Sequence, residues 1–398
     1  MEEMENIMIE RLVQRQIKAN ERVLKELGKI IGEIGELTPS EAYTIAQQLK
    51  YGESLNKIIK ILSSTSELTE KEIYKMFEKE ARHNLALKKI FFQAKEIDFI
   101  PYEQNAPLKN LVREIALATV GTYRNISMTT GLTYLDVNGN RVTKGIREAY
   151  YEIVDNAILN VNMGKESFWQ TMKKQLSTIG NAGVQSIEYE SGYHRRIDSA
   201  LRMNLSDGLN ELAQRQQELI GQQFDSDGVE ISVHENPAED HENVQGHIFT
   251  NEEYDKLDNF GVAKDINGMT IDIHNKYGDF RPIGELNCYH EVFSIVIGVS
   301  KPRYTQEELD KIIADNNKGF EFEGKHFTNY EGTQLQRRIE TEIRKARETN
   351  IIAKASGMQE LIDKSQNRID MLTHKYYELS RTSGLRTKLQ RIRLLTKR

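Results

Sequence analysis

Six side chains of metal-binding or proton-transferring type fall in two short stretches: His234, Asp240, His241 and His247, then Cys288 and His290. Imidazole nitrogens and a thiolate are donors suited to zinc. Cys-x-His on one extended strand places both side chains on the same face, supplying two of four ligand positions. The spacing of the first stretch is loose, however, and histidines in a polar loop ordinarily make hydrogen bonds. The expectation is structural use with no resident cofactor. Structural zinc is the alternative, with His234, His241, Cys288 and His290 as its candidate ligands, and such an ion would brace a small domain rather than catalyse. Cys288 and His290 do not by themselves make a charge relay, and no GxSxG elbow occurs. Phosphate-cradling GxxxxGK[ST] and strand–GxGxxG–helix patterns are also missing. No catalytic residue is assigned, and the chain is read as not an enzyme.

The elements that must position these residues are mostly helical. Apolar residues recur at helical spacing in the first hundred positions, as at Ile9, Leu12, Val13 and Ile17 and then Leu24, Leu27, Ile30, Ile31 and Ile34. Thr38-Pro39-Ser40-Glu41 and Thr69-Glu70-Lys71-Glu72 carry capping-box logic, so helices are expected to begin at both. A further helix is expected from about Leu108 towards Thr130. Asn138-Gly139 between apolar flanks marks a tight hairpin. Helix resumes over about 143–163 and 167–179, where Trp169, Met172 and Leu176 share a core-facing side, and a long helix is expected from Tyr193 to Phe224.

After Gly228 the period shortens. Val229, Ile231 and Val233 alternate with polar residues, as do Met269, Ile271 and Ile273, and 292–299 is almost continuously apolar. Thr250 and Thr305 open capping boxes for short helices, and Glu323-Gly324 marks a hairpin. From Gly332 onward helix returns, with Leu335, Ile339 and Ile343 on one face and, after Gly357, a second set of Leu361, Ile362, Ile369, Leu372 and Tyr376. The expected fold is mainly α with a small α+β domain. It divides into an extended N-terminal helical region (1–106), a helical domain (107–227), the small α+β domain (228–330) and C-terminal helices with a basic tail (331–398).

Composition narrows the class further. With 38% hydrophobic and 29% charged residues over 398 positions, the chain reads as soluble, elongated and helix-rich. A lone cysteine rules out an internal disulfide or a multi-cysteine cluster. The first residues do not form a signal peptide, and no apolar run approaches the roughly 18 residues of a membrane span. The net charge of −6 is uneven: Thr333 to Arg398 holds 16 Lys and Arg against 7 Asp and Glu, a net of +9 that leaves −15 elsewhere. Such a tail is either a solvated helix face or a contact for DNA or an acidic protein surface.

Read in order, the residues form a recognisable pattern. Gly228-Val229-Glu230-Ile231-Ser232-Val233-His234, Asp240-His241, Gln245-Gly246 and Phe249 resemble the central signature of the phage minor capsid protein 2 family. Asn287-Cys288-Tyr289-His290 is similar to that family's Asn-Cys-Arg-His motif, and Gly298-Val299-Ser300 and Tyr304 to Leu309 follow in order. Upstream, Gly192, Arg195, Arg196, Ile197, Asp198 and Arg202 match. Downstream, Tyr330-Glu331, Thr333 to Arg338 (with Gln336 and Arg337) and Glu340 match the closing helix. The resemblance covers about Leu108 to Leu385. Tyr289 stands in place of the family's arginine, and Glu285-Leu286 where Gly-Trp is frequent.

The resemblance implies a virion head protein of few copies, more distantly related to the F-type head morphogenesis proteins of Mu-like phages. It would assemble in the bacterial host cytoplasm, with the portal protein and major capsid protein as partners, and packaged DNA as a further one through the basic tail. Two other readings remain: a DNA-binding assembly or packaging factor, and a metal-dependent virion enzyme using His234, His241, Cys288 and His290.

Overall fold

The computed structural model describes residues 2–38, 41, 50–163, 165–187, 193–234, 236–284, 288, 290–300 and 302–392. Helix α1 (Glu2–Gly35) buries Ile9, Leu12, Val13, Ile17, Val23, Leu24, Leu27, Ile31 and Ile34. These spread over more than one face, which suits a helix surrounded by others. It packs against α2 (Lys50–Leu87), α5 (Ile146–Asn162), α6 (Lys165–Ala182), α7 (Ile197–Gln223) and α10 (Asn329–Ser356). The remaining body helices are α3 (Lys89–Ala94) and α4 (Ala106–Met128), the latter lying between α2 and α7. Asn105 caps α4 by accepting from the Leu108 amide at 3.1 Å.

Local signals are met unevenly. Thr38 bonds the Glu41 carboxylate through its amide at 3.0 Å and its hydroxyl at 2.6 Å, and the stretch after Glu41 lies outside the described residues. Thr69, by contrast, starts nothing, because α2 runs through it. Ile58 and Leu62 before it and Ile73, Met76 and Phe77 after it are all buried, so core burial on both sides overrides the local stop–start signal. The hairpin at Asn138-Gly139 joins β1 (Thr130–Leu135) to β2 (Arg141–Gly145). The sequence did not reveal β3 (Val184–Ile187) or β4 (His194–Arg196), which extend this pair into an antiparallel sheet of order β2-β1-β3-β4. Accordingly α7 starts at Ile197, four residues later than expected from Tyr193.

In the small α+β unit, β5 (Gly228–Ile231) lies between β6 (Ile248–Thr250) and β9 (Val292–Ile295), antiparallel to both. Helix α8 (Asn251–Phe260), capped by Thr250, leads to the hairpin β7 (Val262–Lys264) and β8 (Thr270–Asp272). Val229, Ile231, Val244, Phe249, Leu257, Ala263, Ile271, Ile273 and Ile283 form its own apolar cluster. The unit is fastened to the helical body through β9. Ile295 and Val296 join the main core, the Ser294 hydroxyl donates to the Gln217 carbonyl at 2.9 Å, and Lys88 Nζ donates to the Ser294 carbonyl at 3.0 Å.

The C-terminal part begins with α9 (Gln306–Lys318), opened by the Thr305–Glu308 capping box. The hairpin β10 (Phe320–Phe322) and β11 (Lys325–Phe327) turns at Glu323-Gly324. Helix α10 has a second capping box, Thr328–Glu331, and ends at Gly357; α11 (Gln359–Ser383) then folds back along it, followed by α12 (Leu389–Ile392). No helix among the described residues is long and apolar enough to cross a membrane.

Candidate functional site

The register of the small sheet brings the two histidine-bearing stretches together. Ile231 at the end of β5 pairs with Val292 at the start of β9. One step further, the Ser232 amide donates to the Glu291 carbonyl at 2.9 Å. The chain leaving β5 and the chain entering β9 therefore share one end of the sheet. Gly246 makes the return possible, its amide donating to the Ile231 carbonyl at 2.9 Å. Its φ is +75°, and a Cβ there would lie 2.7 Å from Leu309 Cδ2 and 3.1 Å from Val233 Cγ2, so only glycine fits.

His241, on a 3-10 turn (Glu239–His241), and Cys288 and His290, shortly before β9, meet in the interior. Their exposures are 0%, 3% and 6%. His241 Nδ1 stands 3.2 Å from Cys288 Sγ, which is 3.4 Å from His290 Nδ1. The other ring nitrogens face oxygen: His241 Nε2 is 2.7 Å from the Arg281 carbonyl, and His290 Nε2 is 3.3 Å from Gln245 Oε1. That same Gln245 oxygen accepts from the His234 amide at 2.9 Å. Arg281 forks onto Asp240 with two bonds of 3.1 Å, and a guanidinium nitrogen lies 3.5 Å from His241 Nδ1. Burial pushes His290 down to about 2, aided by His234, His241 and Arg281, and it also lowers His241 and raises the Cys288 thiol. The three groups are thus neutral at pH 7.

The sequence constellation is only partly assembled. His234 stays at its edge, its ring 4.5 Å from that of His290. Asp240 is engaged by Arg281. His247 belongs elsewhere, bonding Asp265 at 2.9 Å. Asn287 lies outside the described residues, as do Glu285, Leu286 and Tyr289.

A second buried polar group lies in the helical body, where the upstream and downstream motif residues meet. Arg196 bonds Asp198 at 3.2 Å and Glu348 at 2.6 Å, and Arg344 reaches Asp198 at 3.4 Å. Arg202 reaches Glu10 at 3.1 Å, and Arg391 lies 3.8 Å from Glu10 and 3.7 Å from Glu340. Tyr376 donates to Glu340 at 3.1 Å, and Gln336 donates to Ser380 at 3.1 Å and to the Arg386 carbonyl at 3.2 Å. Arg337, in contrast, is exposed. Burial alone would raise the Asp198 carboxyl, but Arg344, Arg196 and Arg202 outweigh it and hold it below the carboxylate range. Glu348, served mainly by Arg196, is raised because burial wins there. Nearby Glu21 is pushed up to about 7, first by burial and then by Glu348.

Sequence reasoning missed Arg344 and Glu348. Glu340, Arg344 and Glu348 recur at i, i+4 and i+8 with alternating sign, a pattern that ordinarily marks a solvated helix face. Their exposures here are 2%, 5% and 1%. The basic tail is also partly internal, since Arg391 faces Glu10 and Glu340; residues 393–398 lie outside the described residues.

Comparison with known proteins gives one result. The family model described as phage minor capsid protein 2 matches residues 6–379 and so includes α1, which the quoted motifs did not reach. No curated protein and no solved structure matches the chain. With nearly its whole length matched, the chain belongs to the phage minor capsid protein 2 family, structural proteins of the phage head.

Proposed function

We propose that the protein is bound at the portal or the inner face of the capsid shell and takes part in head assembly. The observation that supports this reading is where the motif residues lie. Asp198, His241, Cys288, His290 and Gln336 are buried, and the Arg196 side chain is 11% exposed, within the body and the small unit. Residues used in this way maintain a shape, and a shape held by two buried polar centres suits a part that must fit other head proteins. The portal and major capsid proteins are the proposed partners.

Contact with packaged DNA is the narrower part of the proposal. Arg391 is engaged internally, so DNA contact would rest on the basic residues that remain. Quantitative mass spectrometry of density-purified particles, with cross-linking, is the test. Presence at a few to tens of copies with cross-links to portal peptides is the expected result. Abundance in the lysate with absence from particles would overturn it in favour of a transient assembly factor.

A further inference from the structure

We propose that His241, Cys288 and His290 form a zinc site, with His241 Nδ1, Cys288 Sγ and His290 Nδ1 as three ligands and a fourth position for water. The ligand atoms lie within 4.8 Å of one another and all three residues are buried. Zinc holds nitrogen at about 2.0–2.1 Å and thiolate sulfur at about 2.3 Å, so tetrahedral geometry places an N and an S ligand roughly 3.5 Å apart. The two N–S separations, 3.2 and 3.4 Å, are close to that without rearrangement.

Proton arithmetic supports the same conclusion. His241 Nε2 faces the Arg281 carbonyl and His290 Nε2 faces the Gln245 carbonyl oxygen, so both rings carry their proton on Nε2. Both Nδ1 lone pairs then converge on one sulfur. A thiol has one proton and satisfies one of them. The other is left to a guanidinium nitrogen 3.5 Å away, at the limit of hydrogen bonding. A cation in place of the thiol proton satisfies both imidazoles and the sulfur together. Binding releases that proton to solvent and leaves the two Nε2–H bonds as the outer shell that orients metal-bound histidines.

A soft sulfur with two imidazoles selects zinc over magnesium or calcium, which take oxygen. The ion would tie the 3-10 turn to the run entering β9, elements 47 residues apart at His241 and Cys288. The apolar cluster of the small unit is much smaller than that of the helical body, so such a brace matters.

The test uses the full chain without a histidine tag, equilibrated with zinc and then freed of loose metal by gel filtration. Elemental analysis should give about one zinc per chain. Cobalt(II) in its place should produce a thiolate-to-metal charge-transfer band. Cys288→Ser should abolish that band and weaken zinc binding about tenfold or more, and His290→Ala should weaken it likewise. A folded wild-type chain that retains less than about a tenth of an equivalent would overturn the proposal, as would a cobalt spectrum without the sulfur band. Both decisive readouts use the wild-type protein, so a variant that fails to fold does not shield the idea.

Discussion

The helical body and the small α+β unit each bury a polar centre at the meeting point of distant sequence motifs, but with different chemistry. In the body, Arg196, Asp198, Arg344 and Glu348 are ionisable groups of opposite charge type, each placed against a partner of the other sign. In the small unit, His241, Cys288 and His290 are neutral and bonded through weak sulfur contacts and backbone or amide oxygens. Removing one member of the charged set leaves an unpaired ionisable group in low dielectric, whereas removing one of the neutral set leaves only neutral donors or acceptors without a partner. The body is thus bound by interactions expensive to break, and the small unit by interactions easier to alter.

The sharpest way to break this contrast is Arg196→Ala. It should destabilise the body by about 3–5 kcal/mol, because Glu348 and Asp198 lose their shared cation. Urea unfolding followed by far-ultraviolet circular dichroism measures it. Replacing Arg196 and Glu348 together with apolar residues should recover part of the loss, and a double variant as unstable as the sum of the single ones would deny the coupling.

Gly246→Ala should cost about 1–3 kcal/mol through its positive φ and the contact with Leu309. The effect should be confined to the small unit. Hydrogen exchange should accelerate across 228–300 and remain unchanged in α1 and α10; uniform acceleration would mean that the two regions open as one.

A smaller effect, with a defined pH window, comes from Glu21. Its pKa is raised from 4.5 to about 7, so the folded chain binds the additional proton between those values. Its contribution to stability is complete below the window and lost as pH rises through about 7. Glu21→Gln should therefore gain on the order of 1 kcal/mol at pH 8, allowing for partial exposure, and nothing near pH 4.5. Melting curves across pH check the sign. Asp198 acts oppositely: its depressed pKa adds stability that acid removes.

Least affected should be Lys173→Ala. It removes an exposed pair with Glu360 and should change the unfolding free energy by less than about 0.5 kcal/mol. A larger loss would mean that surface pairs between α6 and α11 carry weight here given only to buried ones.

What the sequence disclosed follows the range of each interaction. The capping box at Thr305 and the turns at Asn138-Gly139 and Glu323-Gly324 are set by neighbours a few residues away and are found where expected, whereas at Thr250 the hydroxyl caps the helix but the Glu253 carboxylate turns to Lys256 and the Lys264 amide. Thr69 carries the same local pattern within a helix whose apolar face continues on both sides, and the core decides. β3 and β4 are four and three residues long and exist because β1 and β3 offer edges to pair with, a non-local fact. Cys288 and His290 were legible as potential ligands. That His241 rather than His247 joins them depends on the 3-10 turn and on Asp265 engaging His247. Arg344 and Glu348 were concealed because a charged stripe looks the same whether it meets water or Arg196 and Asp198.

The packing of α1 against α10 also has a consequence in time. Roughly 300 residues separate the two helices, which at about 5–20 residues per second of ribosomal synthesis is about 15–60 s. Throughout that interval the face of α1 at Gly28 and Gly32 lacks the Ile352, Ala355 and Ser356 of α10 that lie against it in the finished fold. The nascent chain is therefore at its most adhesive long before completion, and chaperone occupancy or temperature during expression should govern its yield more than the stability of the finished fold.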